Sequence, residues 1–169
     1  EKQHIIYSGI EVDKEPLDSS ICLAKNAVNL LFVGRFDPQK GVDYLLDVFR
    51  KCQRSDIHLT LIGDNVIGGL HIEKNNTDRV TFLGWVPHES LSSYYAACDA
   101  VIMPSRWEAF GLVAVEAMKF SKPVIVSNRG ALIELIKDRE TGYVFDFKDP
   151  NSLLNILNNL EPSVLEKMG

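Results

Sequence analysis

The chain has 169 residues, 46% of them hydrophobic and 24% charged, with 18 Lys and Arg against 23 Asp and Glu for a net charge of −5. That length suits one domain able to bury a substantial core, and the composition is that of a globular protein rather than a disordered one. The acidic balance, with no basic face and no interleaving of basic and aromatic residues, argues against a nucleic-acid binder, and no apolar run approaches a membrane span. The opening EKQHIIYSGIEVDKE lacks the apolar stretch of a secretion signal and starts on Glu1, so a piece excised from a longer protein is expected. Cys22, Cys52 and Cys98, like His4, His58, His71 and His88, follow no ligand spacing. The cysteines are expected to be small buried hydrophobes in a reducing compartment, and no metal site is expected.

After a polar lead-in of about 25 residues, strand and helix patterns alternate. Strands are expected at Asn29 to Val33, Ile57 to Ile62, Val80 to Leu83, Ala100 to Met103, Pro123 to Ser127 and Gly142 to Phe145. Val42, Leu45, Leu46, Phe49 and Cys52 recur at helical spacing between the first two, and Leu91, Tyr94, Tyr95 and Cys98 before the fourth. Gly68 to Asn76 carries only a weak helical pattern. Asp149 as N-cap, with Pro150 in the first turn, opens a last helix bearing Leu153, Leu154, Leu157 and Leu160. Strands this short and this apolar on both faces fit a parallel sheet covered by helices. The expected fold is therefore α/β: one doubly wound, Rossmann-like, mostly parallel six-stranded sheet with helices on both faces.

Such a sheet, if its strand order is 3-2-1-4-5-6, binds ligands beyond the carboxyl ends of its strands, at the point where the order reverses. The loops flanking that point are GRFDPQKG (Gly34 to Gly41) and PSRWEAFG (Pro104 to Gly111). In the first, Arg35 offers a planar fork for phosphate oxygens and Lys40 a mobile charge. Neither GxxxxGK[ST] nor GxGxxG occurs, so alone the pair reads rather as two solvated surface cations. In the second, Glu108 and Glu116 have seven residues between them. On one ideal helix they would point about 80° apart. With Glu108 on the loop and Glu116 in the second turn, both can meet one extended ligand. Backbone N–H groups near Phe110, Gly111 and Leu112 then lie where a helix N-terminus holds phosphate. Glu116 interrupts an apolar run, where a carboxylate needs donors, either from a ligand's hydroxyls or from a neighbouring Lys or Arg.

The run PSRWEAFGLVAVEAMKFSKPVIVS resembles the signature of the glycosyl transferases group 1 family, whose members are retaining enzymes of the GT-B fold. SGIEVD (Ser8 to Asp13), GRFDPQKG, LTLIGDN, VTFLGWVPHESL and RETGYVFDFKDP resemble further family stretches in the same order. The resemblance implies that residues 1–169 form a single donor-binding domain, the carboxyl-terminal half of a GT-B enzyme, without its amino-terminal acceptor domain and the final helix that crosses back to it. It implies that Arg35 and Lys40 contact the donor diphosphate, Glu108 the transferred sugar and Glu116 the ribose, with Gly34, Gly63, Ala109, Phe110, Gly111 and Leu112 lining the site. The base is expected against the loop after Phe82 and Leu83, where Trp85 and Val86 offer backbone contacts, although Trp85 reads rather better as a core residue. Arg129-Gly130-Ala131 stands where the family has paired glycines, Lys119-Phe120-Ser121 replaces a small helix terminus ending in glycine, and Arg139 replaces a glycine before Glu140. Glu134 matches a family glutamate but suits a solvated helix face equally.

The implied reaction is transfer of a sugar from a UDP- or GDP-linked donor to a saccharide or lipid-linked acceptor, with retention and without a metal or other cofactor. Polysaccharide, lipopolysaccharide or glycolipid biosynthesis is the expected setting. The location is expected to be cytoplasmic, with membrane contact only through segments outside this chain. The fragment alone is expected to be inactive. A GT-B epimerase or phosphorylase, or a non-catalytic nucleotide-sugar-binding module, would share the same cleft.

Overall fold

The computed structural model describes residues 17–67 and 71–169. Among them six strands, β1 (Val28–Val33), β2 (Ile57–Ile62), β3 (Val80–Gly84), β4 (Ala100–Met103), β5 (Val124–Ser127) and β6 (Gly142–Phe145), form one sheet in the order β3-β2-β1-β4-β5-β6. Every pairing is parallel. The helices are α1 (Val42–Lys51), α2 (His88–Ala97), α3 (Leu112–Lys119), α4 (Leu132–Leu135), α5 (Pro150–Asn158) and α6 (Pro162–Met168).

The continuous apolar strands follow from burial on both faces. Alternate residues point to opposite sides of the sheet. Leu30, Phe32, Leu59, Leu61, Ile102 and Ile125 share a core with Leu45 and Phe49 of α1, Leu153 and Leu157 of α5, and Leu165 of α6. Leu31, Ile62, Val101, Met103, Val124 and Val126 pack instead with Tyr95 of α2, Ala114 and Ala117 of α3, and Leu132 of α4. The sheet is thus doubly wound, as its sequence pattern anticipates.

Helix starts follow local chemistry. Asp149 accepts a hydrogen bond from the Asn151 N–H (2.9 Å), and Pro150, which has no N–H to satisfy, occupies the first turn of α5. α1 starts on Gly41 and ends at Cys52, which returns to extended backbone.

Several expectations are corrected. β1 and β3 each gain a residue, and Pro123 stays outside β5, since it has no N–H, although its carbonyl accepts from Val101 N (3.0 Å). His71–Asn76 is not helical: the Asn65 side chain donates to the Ile72 carbonyl (3.1 Å) and accepts from its N–H (2.9 Å), holding the segment open. Gly68 to Leu70 and the SGIEVD stretch (Ser8 to Asp13) lie outside the described residues. α6 was not anticipated, because seven residues carry too few apolar positions to show a period, and Leu165 alone anchors it in the core. Cys52 and Cys98 are buried as expected, but Cys22 is exposed. Burial pushes the Cys98 thiol up to about 12, which keeps it a protonated, inert core group at neutral pH. No described helix is long and apolar enough to cross a membrane.

The α5 cap gives a direct check on this account. Asp149→Ala should lower stability by about 1 kcal/mol in denaturant melts. An unchanged midpoint would mean that Asp149 does not hold the start of α5.

Candidate functional site

β1 and β4 are neighbours, but α1 leaves β1 toward one face of the sheet and α3 leaves β4 toward the other. A crevice must therefore open between residues 34–41 and 104–111. The two loops are stapled along its floor. Arg106 grips Asp43 with two guanidinium nitrogens (2.8 and 2.7 Å) and also donates to the Pro38 carbonyl (2.6 Å). Its own N–H donates to the Gln39 carbonyl (2.8 Å), and the Gln39 side chain returns a bond to the Trp107 carbonyl (3.2 Å). Gly41 adopts φ 70°, and any Cβ there would lie 2.1 Å from the Pro104 carbonyl oxygen. Only glycine permits that approach. Phe36, fully buried between Phe32 and Phe82, pins the first loop from below.

Stapling brings Lys40 and Glu108, distant in sequence, to a 2.6 Å ion pair. The side chains are 20% and 10% exposed, so the pair is largely shielded from water. The backbone of Glu108 is seated equally firmly. Its carbonyl accepts from Ala131 N (3.0 Å), and a Cβ on Gly130 would fall 2.1 Å from that same oxygen. One glycine of the paired motif is thus enough to seat Glu108, and Ala131 occupies the second position with its N–H in use. Ser127 donates to the Ser105 carbonyl (2.5 Å), tying the loop to the end of β5. Arg35 is different: its side chain is 65% exposed and leans on Asp37 (3.2 Å) at the crevice mouth.

Glu116 lies in the second turn of α3, as expected, with its side chain 21% exposed. Among the described residues no Lys or Arg is paired with it: Tyr95 donates to Oε2 at 2.6 Å, and His88 Nε2 stands 3.8 Å from Oε1. Burial, and then the Glu116 charge, push the Tyr95 phenol well above its ordinary value, so it remains a donor at any physiological pH. α3 begins at Gly111 (φ 92°) with no side-chain cap; the Ala114 and Val115 N–H groups donate to the Gly111 carbonyl (2.9 and 3.3 Å), which leaves the Leu112 and Val113 N–H groups as the ones without an acceptor in the helix. They present partial positive charge beside Glu108.

The structure gathers Gly34, Arg35, Lys40, Glu108, Ala109, Phe110, Gly111 and Leu112 around the crevice and sets Gly63 after β2 against Gly34, where a Cβ would lie 1.8 Å from the Gly34 oxygen. Gly63 therefore has a packing reason to be glycine whatever it binds. Trp85 is 74% exposed, which overturns its reading as a core residue, whereas Val86 packs against the core beside α2. Arg106, Gly130, Tyr95 and Phe36 were missed as site-forming residues. The signal for Phe36, an aromatic among loop charges, was present in GRFDPQKG; the partners of Arg106 and Tyr95 lie 63 and 21 residues away and left none. Among the described residues no three His, Cys, Asp or Glu side chains come together.

A parallel, doubly wound sheet with cations, carboxylates and a helix N-terminus without a side-chain cap at its switch point defines a Rossmann-like α/β domain. The chain belongs to the glycosyl transferases group 1 family, which it matches over residues 13–163. It is 39% identical over 164 residues to a Klebsiella pneumoniae protein described as an uncharacterized 41.2 kDa protein in cps region, covering 94% of this chain and 45% of that one. It is 32% identical over 169 residues to the lipopolysaccharide 1,2-N-acetylglucosaminetransferase of Salmonella typhimurium, covering 91% and 44%. Among solved structures, Anabaena HepE in complex with UDP-glucose superposes with a TM-score of 0.72 at 27% identity, covering 85% of this chain and 42% of that one. The C-terminal domain of the Francisella tularensis glycosyl transferase group 1 family protein LpcC gives 0.73 at 25% identity, covering 83% and 79%. The chain thus spans less than half the length of the two curated relatives.

The staple makes a pH-dependent prediction. The Arg106 guanidinium holds the Asp43 carboxyl below its usual value, so the pair's contribution is complete above the unfolded value of about 4 and is lost as pH falls through the depressed folded value. With both groups about a third exposed, the pair is worth about 1 kcal/mol. Arg106→Gln should therefore lower the melting temperature at pH 7, and the gap from wild type should narrow as pH falls toward 3. A gap that persists at low pH would assign the effect to the Pro38 contact and packing instead.

Proposed function

We propose that the chain is the nucleotide-sugar-binding domain of a retaining glycosyltransferase, which transfers a sugar to a saccharide or lipid-linked acceptor brought by a separate amino-terminal domain. The observation that carries this is the Lys40–Glu108 pair, a part-buried cation and a buried carboxylate between exposed Arg35 and the N-terminus of α3. A bare buried carboxylate is costly, and Lys40 offsets that cost while no ligand is bound. A nucleotide sugar can replace both halves: the diphosphate takes Lys40 and Arg35, and sugar hydroxyls donate to Glu108. Cleavage of the anomeric C–O bond leaves negative charge on the diphosphate, where Lys40, Arg35 and the α3 N–H groups would stabilise it. These groups supply the charge that a divalent metal would otherwise provide. Glu116 takes the ribose hydroxyls, and Val86 with the backbone of Trp85 borders the base. The UDP-glucose complex of HepE and the saccharide chemistry in the name of the Salmonella relative support the donor and acceptor classes.

Calorimetry tests the reading, with UDP, UDP-glucose, GDP and GDP-mannose titrated into the chain in the presence of chelator. A nucleoside diphosphate should bind with chelator present, and the chain alone should transfer no sugar. Glu116→Ala should weaken the nucleoside diphosphate and its sugar conjugate alike, by about 1–3 kcal/mol. Glu108→Ala should leave nucleoside diphosphate affinity intact or raised, because Lys40 is freed, while weakening the conjugate. Loss of nucleoside diphosphate binding in a folded Glu108→Ala chain, or complete dependence on metal, would overturn the assignment.

A further inference from the structure

We infer that Tyr95 is a positioning residue for nucleotide recognition: by holding one oxygen of Glu116 it aims the other at the ribose, and so sets the preference for ribonucleotide over deoxyribonucleotide donors. The inference rests on the proposed role of Glu116 and extends it to a residue on a different helix. Tyr95 is 2% exposed, and its ring stacks on Phe120 with centroids 5.9 Å apart and planes 13° from parallel. Phe120 is the C-cap of α3, the helix that carries Glu116. The ring is therefore clamped by the end of α3 while its hydroxyl reaches back to the second turn of that helix, at 2.6 Å from Glu116 Oε2.

This arrangement divides the carboxylate. Oε2 is taken by a donor that cannot leave, since the phenol sits in the core with Leu31, Val101 and Ala117. Oε1 has His88 at 3.8 Å, beyond a direct hydrogen bond, and His88 is 77% exposed. Oε1 therefore keeps its lone pairs for hydroxyl donors, which in the proposed site come from the ribose. Without the phenol, the carboxylate is free to turn toward solvent or His88, and two adjacent hydroxyls then meet a mobile acceptor. A site built to bond a hydroxyl discriminates against the analogue lacking it only while the acceptor is fixed.

The test is a ratio of affinities in the whole chain. Whichever of UDP and GDP binds more tightly is titrated beside its 2′-deoxy and 3′-deoxy counterparts into wild type, Tyr95→Phe, Glu116→Gln and the double variant. Wild type should prefer the ribonucleotide by about tenfold or more over at least one deoxy analogue. Tyr95→Phe should cut that preference severalfold, and adding it to Glu116→Gln should change the ratio no further. Partial unfolding lowers all affinities by one factor, so a purely structural role would leave the ratio untouched while lowering the melting temperature. Should Tyr95→Phe not fold, 3-fluorotyrosine at position 95 keeps the ring and hydroxyl, adds one small fluorine and makes the hydroxyl a stronger donor, and the ratio should still shift. A preference that survives Tyr95→Phe, or the fluorinated residue, unchanged overturns the role of Tyr95 alone. Wild type binding ribo- and deoxynucleotides equally overturns the ribose role of Glu116, and this proposal with it.

Discussion

Everything charged in this crevice depends on keeping two diverging loops in contact. β1 and β4 lie side by side, yet their chains leave toward opposite faces, so nothing in the sheet's own hydrogen bonding holds residues 34–41 to residues 104–111. Arg106 bridges them through Asp43 and the Pro38 carbonyl, and the contact of Gly41 with Pro104 brings the backbones together where a side chain would not fit. Lys40 and Glu108 meet across this bridge, with Ala131 and Gly130 seating the Glu108 backbone. The cost of shielding them from water is offset by their pairing, and in the proposed function a ligand takes over both partners.

The two carboxylates are stabilised in opposite ways, and the difference matches the two tasks proposed for them. Glu108 is neutralised by a lysine, a flexible point charge that a diphosphate can attract away. Glu116 is held by a core phenol that stays neutral and cannot be drawn off. The first arrangement suits a group whose partner changes when ligand binds. The second suits a group that must present the same face to each ligand. A lysine beside Glu116 would have satisfied the charge but competed with the ligand, which gives a physical reason for a tyrosine there.

Much of this could be read from the sequence because local pattern and tertiary demand agree. Val28–Val33 and Val124–Ser127 are apolar on both faces because helices cover both faces, and Asp149-Pro150 starts α5 by short-range chemistry. The loops bearing Arg35, Lys40, Glu108 and the Glu116 helix were identifiable because charge and glycine concentrate in them. The partners of those residues were not. Arg106 reads as one more surface cation and Tyr95 as one more core aromatic until the fold sets them 2.7 Å from Asp43 and 2.6 Å from Glu116. Trp85 misled in the other direction: a large aromatic after an apolar strand reads as core, yet the turn after Gly84 leaves it 74% exposed. α6 hangs on Leu165, and the segment after Asn65 on the Asn65 amide, buried Ile72 and the Lys74–Asp64 ion pair, contacts that leave no periodic trace.

The central claim is that the Lys40–Glu108 pair holds the place of a nucleotide sugar and opens when one binds. A crystal structure of this chain with UDP bound tests that most directly. The account predicts diphosphate oxygens within hydrogen-bond distance of Lys40 Nζ, with Lys40 drawn away from the 2.6 Å contact with Glu108, and the first-turn N–H groups of α3 turned on the same phosphates. UDP seated elsewhere on the molecule, or a diphosphate in the crevice with Lys40 still bound to Glu108, would contradict it.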